Sequence, residues 1–142
     1  MQYIEKQKFN INDLVALKIR MPVVVVIEPD AYLADLYAKY IMAAHYKAHI
    51  RRDILDIHSF LEQVNPHVIL FNPHMHPSTK VFVAELAKIR KNLPSVILIT
   101  IGQTTETEEI KHYMEAGIAS HINRRLTRPG DIIVIIQSLL KR

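Results

Sequence analysis

The side chains of this chain that could do chemistry sit where apolar runs end. VILFNPHMHP, Val68 to Pro77, delivers Asn72, His74 and His76 after four apolar residues. VVVVIEPD, Val23 to Asp30, ends on Glu28, Pro29 and Asp30, VILITI ends close to Thr100, and SHINRR places His121 just before Arg124. His74 and His76 with a carboxylate such as Glu28 would be a nitrogen and oxygen ligand set of the kind zinc accepts. A His-x-His pair in a loop is nonspecific, however, and the eight histidines otherwise scatter from His45 to His121. Both are therefore read as solvated loop histidines, and no metal is expected. No serine or carboxylate is placed to form a triad with a histidine base. Three glycines, Gly102, Gly117 and Gly130, cannot write a dinucleotide fingerprint, a phosphate loop or a nucleophile elbow. The chain has no cysteine, which rules out thiolate catalysis and disulfides. No cofactor is expected, and the chain is read as not an enzyme.

What positions these groups is an alternation of element types. Val23–Ile27, Val68–Phe71 and Val96–Ile101 are short, Val/Ile-rich and apolar throughout, the pattern of strands buried on both faces of a parallel sheet. Weaker strands are expected around Ala48–Arg51 and His121–Asn123. Behind Asp30, a suitable N-cap, Leu33, Leu36, Tyr37, Tyr40, Ile41 and Ala44 share one helical face. Ile57, Phe60, Leu61 and Val64 repeat the spacing. A third helix is expected after Ser78, with Phe82, Leu86 and Ile89 inward. Thr105 and Glu108 stand at the spacing of a capping box ahead of a fourth helix, which Gly117 would end. A last helix is expected from about Asp131, with Ile132, Ile135, Ile136, Leu139 and Leu140 on one face. Five β-α units joined by right-handed crossovers give a doubly wound parallel sheet with helices on both sides. Ligands of such sheets bind at the carboxyl ends of the strands, where the polar residues above fall.

With 142 residues, 23% charged and 49% hydrophobic, the chain is long enough for one continuous core. We divide it into an N-terminal extension, 1–20, with a short helix expected from about Asn12 to Arg20, and a domain at 21–142. No apolar run approaches the roughly 20 residues that span a bilayer, and no signal peptide is visible. A cytoplasmic location is expected. The net charge of +4 comes from dispersed cations. The densest basic stretch, RRLTR at Arg124–Arg128, is too short to argue for nucleic acid.

From about Met21 to Arg142 the sequence resembles the receiver domain of bacterial two-component response regulators, the CheY-like fold. The resemblance rests on the VVVVIEPD start, the PHVILFN third strand, the VILIT fourth strand and the segment EAGIASHINRR. It implies a flavodoxin-like, five-stranded sheet in the order 2-1-3-4-5. It also implies an acidic pair binding Mg²⁺ after the first strand, a phosphorylated Asp ending the third, a Thr or Ser ending the fourth and a Lys ending the fifth. On these positions the chain carries Glu28, then Pro29 without a metal-binding oxygen, Asn72, Thr100, and Arg124 followed by Arg125. His121 falls where the family's switch aromatic stands. A carboxamide is neutral and far less nucleophilic than a carboxylate, so Asn72 cannot form an acyl phosphate. The resemblance is thus to a degenerate pseudo-receiver. Glu28, Asn72, Thr100 and Arg124 are expected to form a fixed hydrogen-bonded cluster in which Arg124 bridges Glu28 and the Asn72 carbonyl, unless Arg124 simply reaches solvent.

The family makes partner and dimer contacts through its last helix-strand-helix face, here about Thr105 to Leu140. In the final helix Val134 projects away from the apolar stripe and Ile133 lies at its margin. Both are expected to be exposed, with Arg124, Arg125 and Arg128 as a basic rim or else a solvated basic loop. Three readings compete. The leading one is a non-catalytic module binding protein partners independently of phosphorylation, as a subunit or a signalling adaptor, with a homodimer left open. The second is an atypical receiver switched by a ligand or metal at the altered pocket. The third is a flavodoxin-like enzyme, disfavoured by the missing glycines and nucleophile. With the sequence ending at Arg142, any signal is expected to pass through the surface of this one domain.

Overall fold

Alternate residues of a strand point to opposite faces, so a run such as VVVVI needs apolar cover on both sides. The computed structural model, which describes residues 21–141, provides it. The N-terminal extension, 1–20, with the helix expected there, lies outside the described residues. Five strands, β1 (Val23–Ile27), β2 (Lys47–Arg51), β3 (Val68–Phe71), β4 (Ile97–Gly102) and β5 (Ser120–Asn123), form one parallel sheet in the order β2-β1-β3-β4-β5. The fold class read from the sequence is the one observed. Val24 and Val26 face a layer made by α1 (Ala31–Ala43) and α5 (Pro129–Leu140). Val25 and Ile27 face α2 (Ile57–Val64), α3 (Thr79–Asn92) and α4 (Thr107–Glu115).

The register lines up Ile27, Phe71, Thr100 and His121 in one row across four strands. Glu28 and Asn72 follow one residue later, joined to the row by the Asn72 amide donating to the Ile27 carbonyl at 2.9 Å. Pro73 opens a 3-10 turn, Pro73–Met75, and Asn72 caps it: its Oδ1 accepts the His74 amide at 2.9 Å. Asp30 and Ser78 cap α1 and α3 as their positions predict, accepting the amides of Leu33 at 3.0 Å and Val81 at 3.2 Å.

Three expectations need correction. The buried face of α1 is Ala34, Tyr37, Ala38 and Ile41, while Tyr40 is 40% exposed. The stripe has turned because the two alanines, which the apolar count passed over, let the helix approach the sheet closely. Ile133 is buried, packed in the core beside Ile132, Ile136 and Leu139, because α5 is covered from a second direction by α1. The capping box at Thr105 and Glu108 does not form. Glu106 is the N-cap residue of α4 without a side-chain bond, and Thr104 takes over, its Oγ1 accepting the Glu106 amide at 3.2 Å. Gly117 does close that helix, at φ +103°, a left-handed conformation that glycine alone adopts without strain.

Candidate functional site

The first corner of the sheet's carboxyl edge is built by β1 and β3. Glu28 is 1% exposed and its carboxylate is satisfied twice. The Asp30 amide donates to Oε2 at 3.0 Å, and Asn72 Nδ2 donates to Oε1 and Oε2 at 3.2 and 3.4 Å. Arg124, three-quarters buried, brings Nη1 to 3.9 Å from Glu28 Oε1, an ion contact beyond hydrogen-bond range. The expected cluster is therefore assembled differently. The Asn72 carbonyl is taken by the His74 amide and not by Arg124. Asn72 can hold this pose because a carboxamide offers what the corner lacks, a donor for Glu28 and an acceptor for His74 at once.

Thr100 belongs to a second corner, between β4, β5 and α4. Its Oγ1 lies 2.7 Å from His121 Nδ1, and His121 Nε2 lies 3.2 Å from the Thr104 carbonyl. A carbonyl only accepts, so Nε2 carries the proton, and Nδ1 of the neutral ring accepts from the Thr100 hydroxyl. Burial holds the His121 pKa below the ordinary histidine value, outweighing the Thr104 carbonyl, which favours the charged ring. Thr104 Oγ1 continues the network to Glu109 Oε2 at 2.9 Å. Glu109 Oε1 accepts from the Tyr113 hydroxyl at 2.6 Å and faces His74 Nε2 at 3.0 Å. The Tyr113 bond, foremost, keeps the Glu109 carboxyl below the usual range. Burial and the neighbouring carboxylate push the Tyr113 phenol up. Glu109 and Thr104 escaped the sequence reading, although Glu109 stands at the i, i+4 spacing from Tyr113 that joins side chains on a helix.

The two loop histidines part company. His74 is half exposed and bonded to Glu109. His76, expected in solvent, is buried between Phe71 and Phe82, at ring distances of 5.5 and 5.3 Å, because the 3-10 turn folds it back over the sheet. Neither of its ring nitrogens has a hydrogen-bond partner among the described residues. Its Nε2 lies 3.5 Å from Glu85 Oε1, whose other oxygen pairs with His58 at 2.6 Å. Among the described residues no three histidine, cysteine, aspartate or glutamate side chains are grouped so as to hold a metal ion.

The proposed surface residues scatter likewise. Val134 is 62% exposed, Arg125 is exposed, and Arg128 lies 3.6 Å from Asp131 across the first turn of α5. Leu126, between the arginines and 82% exposed, was overlooked because it sits in a loop with no period to mark its direction. A groove of about 310 Å³ runs between α1 and the β5-α5 loop, with Tyr37, Leu36 and Arg124 in its walls. A larger groove, about 650 Å³, lies between α3 and α4 and is bordered by Glu106, Glu108 and Glu109. No helix among the described residues is long and apolar enough to cross a membrane.

No protein-family description and no curated protein matches the chain. Solved structures do. A CheY-like response regulator receiver domain from Methanospirillum hungatei is 16% identical over 85% of this chain and 94% of its own, with a TM-score of 0.75. A response regulator from Thermotoga maritima is 11% identical over 86% and 99%, with a TM-score of 0.77. An orphan response regulator of H. pylori is 15% identical over 84% and 95%, at 0.73. At these identities the likeness establishes the fold: the chain has the receiver fold.

Proposed function

We propose that this chain is a pseudo-receiver: a non-catalytic, cytoplasmic domain from Met21 onward that binds a protein partner without being phosphorylated. The observation that carries the reading is Asn72. It ends β3, where the resembled family keeps its phosphorylated aspartate, and its carboxamide is spent on Glu28 and the His74 amide. Pro29 fills the place of the second acid, which leaves Glu28 as the one carboxylate bonded to Asn72 among the described residues. Mg²⁺ favours more oxygen ligands than this corner offers. Thr100, the family's switch hydroxyl, is bonded to His121 and not directed at Asn72. The corner works as a fixed clamp, and the signal or structural role passes through the surface. Val134, Leu126 and the arginines Arg125 and Arg128 form the partner face, with Ile133 beneath it as core.

Incubation of the full chain with acetyl phosphate and Mg²⁺ tests this reading. The intact mass should be unchanged after minutes to hours. A stable phosphoryl adduct at the strand-end corner would overturn it. Affinity purification from the native cell should recover a partner that the Val134→Asp and Leu126→Asp double variant loses while keeping its fold.

A further inference from the structure

Acceptors and donors are unevenly used around Arg124. Glu28 has given its oxygens to the Asp30 amide and to Asn72, and Asp30 has given its own to the Leu33 amide. The Arg124 guanidinium, three-quarters buried, has no hydrogen-bond acceptor among the described residues, and its ion contact to Glu28 is 3.9 Å long. Tyr37 is 4% exposed, and its hydroxyl likewise has no partner among the described residues. Both line the 310 Å³ groove between α1 and the β5-α5 loop. The groove also meets the start of α5, whose N-cap residue Arg128 supplies no side-chain acceptor for the first-turn amides. The remaining walls are mostly apolar, from Leu33, Leu36 and Pro129, with Thr127 and Arg125 also lining the groove.

We infer that this groove binds a small amphiphilic anion, an oxyanion head group on a compact apolar body. A guanidinium with its fork unused recognises two oxygens at once, the Tyr37 hydroxyl adds a third donor, and an uncapped helix start favours negative charge. The mostly apolar walls offer few partners to the far side of a bare ion and favour a ligand with an apolar body there. A volume near the lower bound of ligand pockets, about 300 Å³, restricts the body to roughly the size of one ring. The head group is a carboxylate or a phosphate monoester, which offer the same oxygens to the fork. Binding here deepens the pseudo-receiver reading, since it would connect Arg124 and the partner face beside Arg125 without any change at Asn72.

Amide spectra of the full chain, titrated with benzoate, phenyl phosphate, benzyl alcohol and inorganic phosphate, test the inference. Benzoate or phenyl phosphate should give saturable shifts at Leu33, Tyr37, Arg124 and Arg125, the two arms deciding the head group. Benzyl alcohol and inorganic phosphate should bind at least roughly tenfold more weakly, because each lacks one half of the recognition. Arg124→Gln should weaken the favoured anion by about tenfold or more, and Tyr37→Phe by about threefold, charged donors counting for more than neutral ones. Should Arg124→Gln fail to fold, Tyr37→Phe carries the test. The inference fails if neither anion saturates, if benzyl alcohol binds as tightly, if inorganic phosphate matches phenyl phosphate, or if the folded variants bind undiminished. No acetyl phosphate is present in these titrations, so such a failure leaves the non-phosphorylated reading standing.

Discussion

Arg90 and Arg124 are the same side chain at opposite ends of the sheet, and they are used in opposite ways. Arg90, on α3 near the amino ends of the strands, spends its guanidinium on three carbonyls: Pro94 at 3.2 Å, Val96 at 2.7 Å and Gly117 at 2.9 Å. It fastens the loops before β4 and β5 to one another. The Arg124 guanidinium, at the carboxyl ends, makes no hydrogen bond among the described residues and only a 3.9 Å ion contact. The amino edge is closed by its own chain. The carboxyl edge is part clamp, at Glu28 and Asn72, and part unused donor, at Arg124 and Tyr37. The two edges thus differ in whether a largely buried guanidinium finds its acceptors within the described residues.

The strongest way to break this contrast is to reverse the chemistry of the clamp. Asn72→Asp replaces a donor with a second carboxylate about as close to Glu28 as the present 3.2 Å contact. Two such charges in a buried site cost about 3 kcal/mol at neutral pH, since Arg124 is too distant to offset both. The pair retains a shared proton to higher pH in the folded than in the unfolded chain. The lost stability therefore returns as pH falls below about 4 and grows toward pH 7. Urea denaturation of the variant across that range should show the trend; a variant as stable as the parent at pH 7 would mean the corner is open to water.

Next in size is the direct comparison of the two arginines. Arg90→Gln should lose about 2 kcal/mol, because two or three carbonyls lose a charged donor. Arg124→Gln should lose under about 1 kcal/mol, the ordinary value of a loose ion pair. Equal losses in chemical denaturation would erase the asymmetry.

The residues behind this asymmetry were unequally legible in the sequence. Three strands followed from VVVVI, VILF and VILITI, because burial on both faces leaves no polar positions for another reading, while the sheet order came from the family resemblance. Asp30, Ser78 and Gly117 announced helix ends through local chemistry that acts within three or four residues. Asn72 beside Glu28 was legible through the family pattern. Ile133 was misjudged because helical periodicity marks one covered face, and α1 supplies a second across a long sequence separation. His76, the Glu109 network and the three carbonyl bonds of Arg90 depend on loop paths, which no period encodes. Tyr37 reads as core from its spacing, and core it is; only the lack of a partner for its hydroxyl among the described residues distinguishes it.

The Thr100 to Glu109 network sharpens the comparison through pH. His121 is neutral in its present bonding, and burial lowers its pKa below that of the unfolded chain. An unfolded chain then binds the proton first, so this histidine contributes stability above about pH 6.5 that is lost as the solution is made more acidic. Glu109, also lowered, adds a second loss of the same sign at lower pH, through and below the ordinary carboxylate range. His121→Gln should flatten the fall between pH 7 and pH 5 while leaving the Asn72 corner and its amide shifts unchanged. Were the slope the same in the variant, the two corners would not be separable.

The smallest expected effect concerns the surface itself. Val134 is 62% exposed and packs outside the α1-α5 core, so Val134→Asp should change stability by less than about 0.5 kcal/mol. Ile133→Asp, one residue away, puts a charge into that core and should unfold the domain or cost several kcal/mol. Neighbours on one helix thus separate two roles that the sequence had merged. If Val134→Asp were as damaging as Ile133→Asp in thermal denaturation, the residue would be packed against something within the chain. The partner face would then have to be sought at Leu126 and the arginines alone.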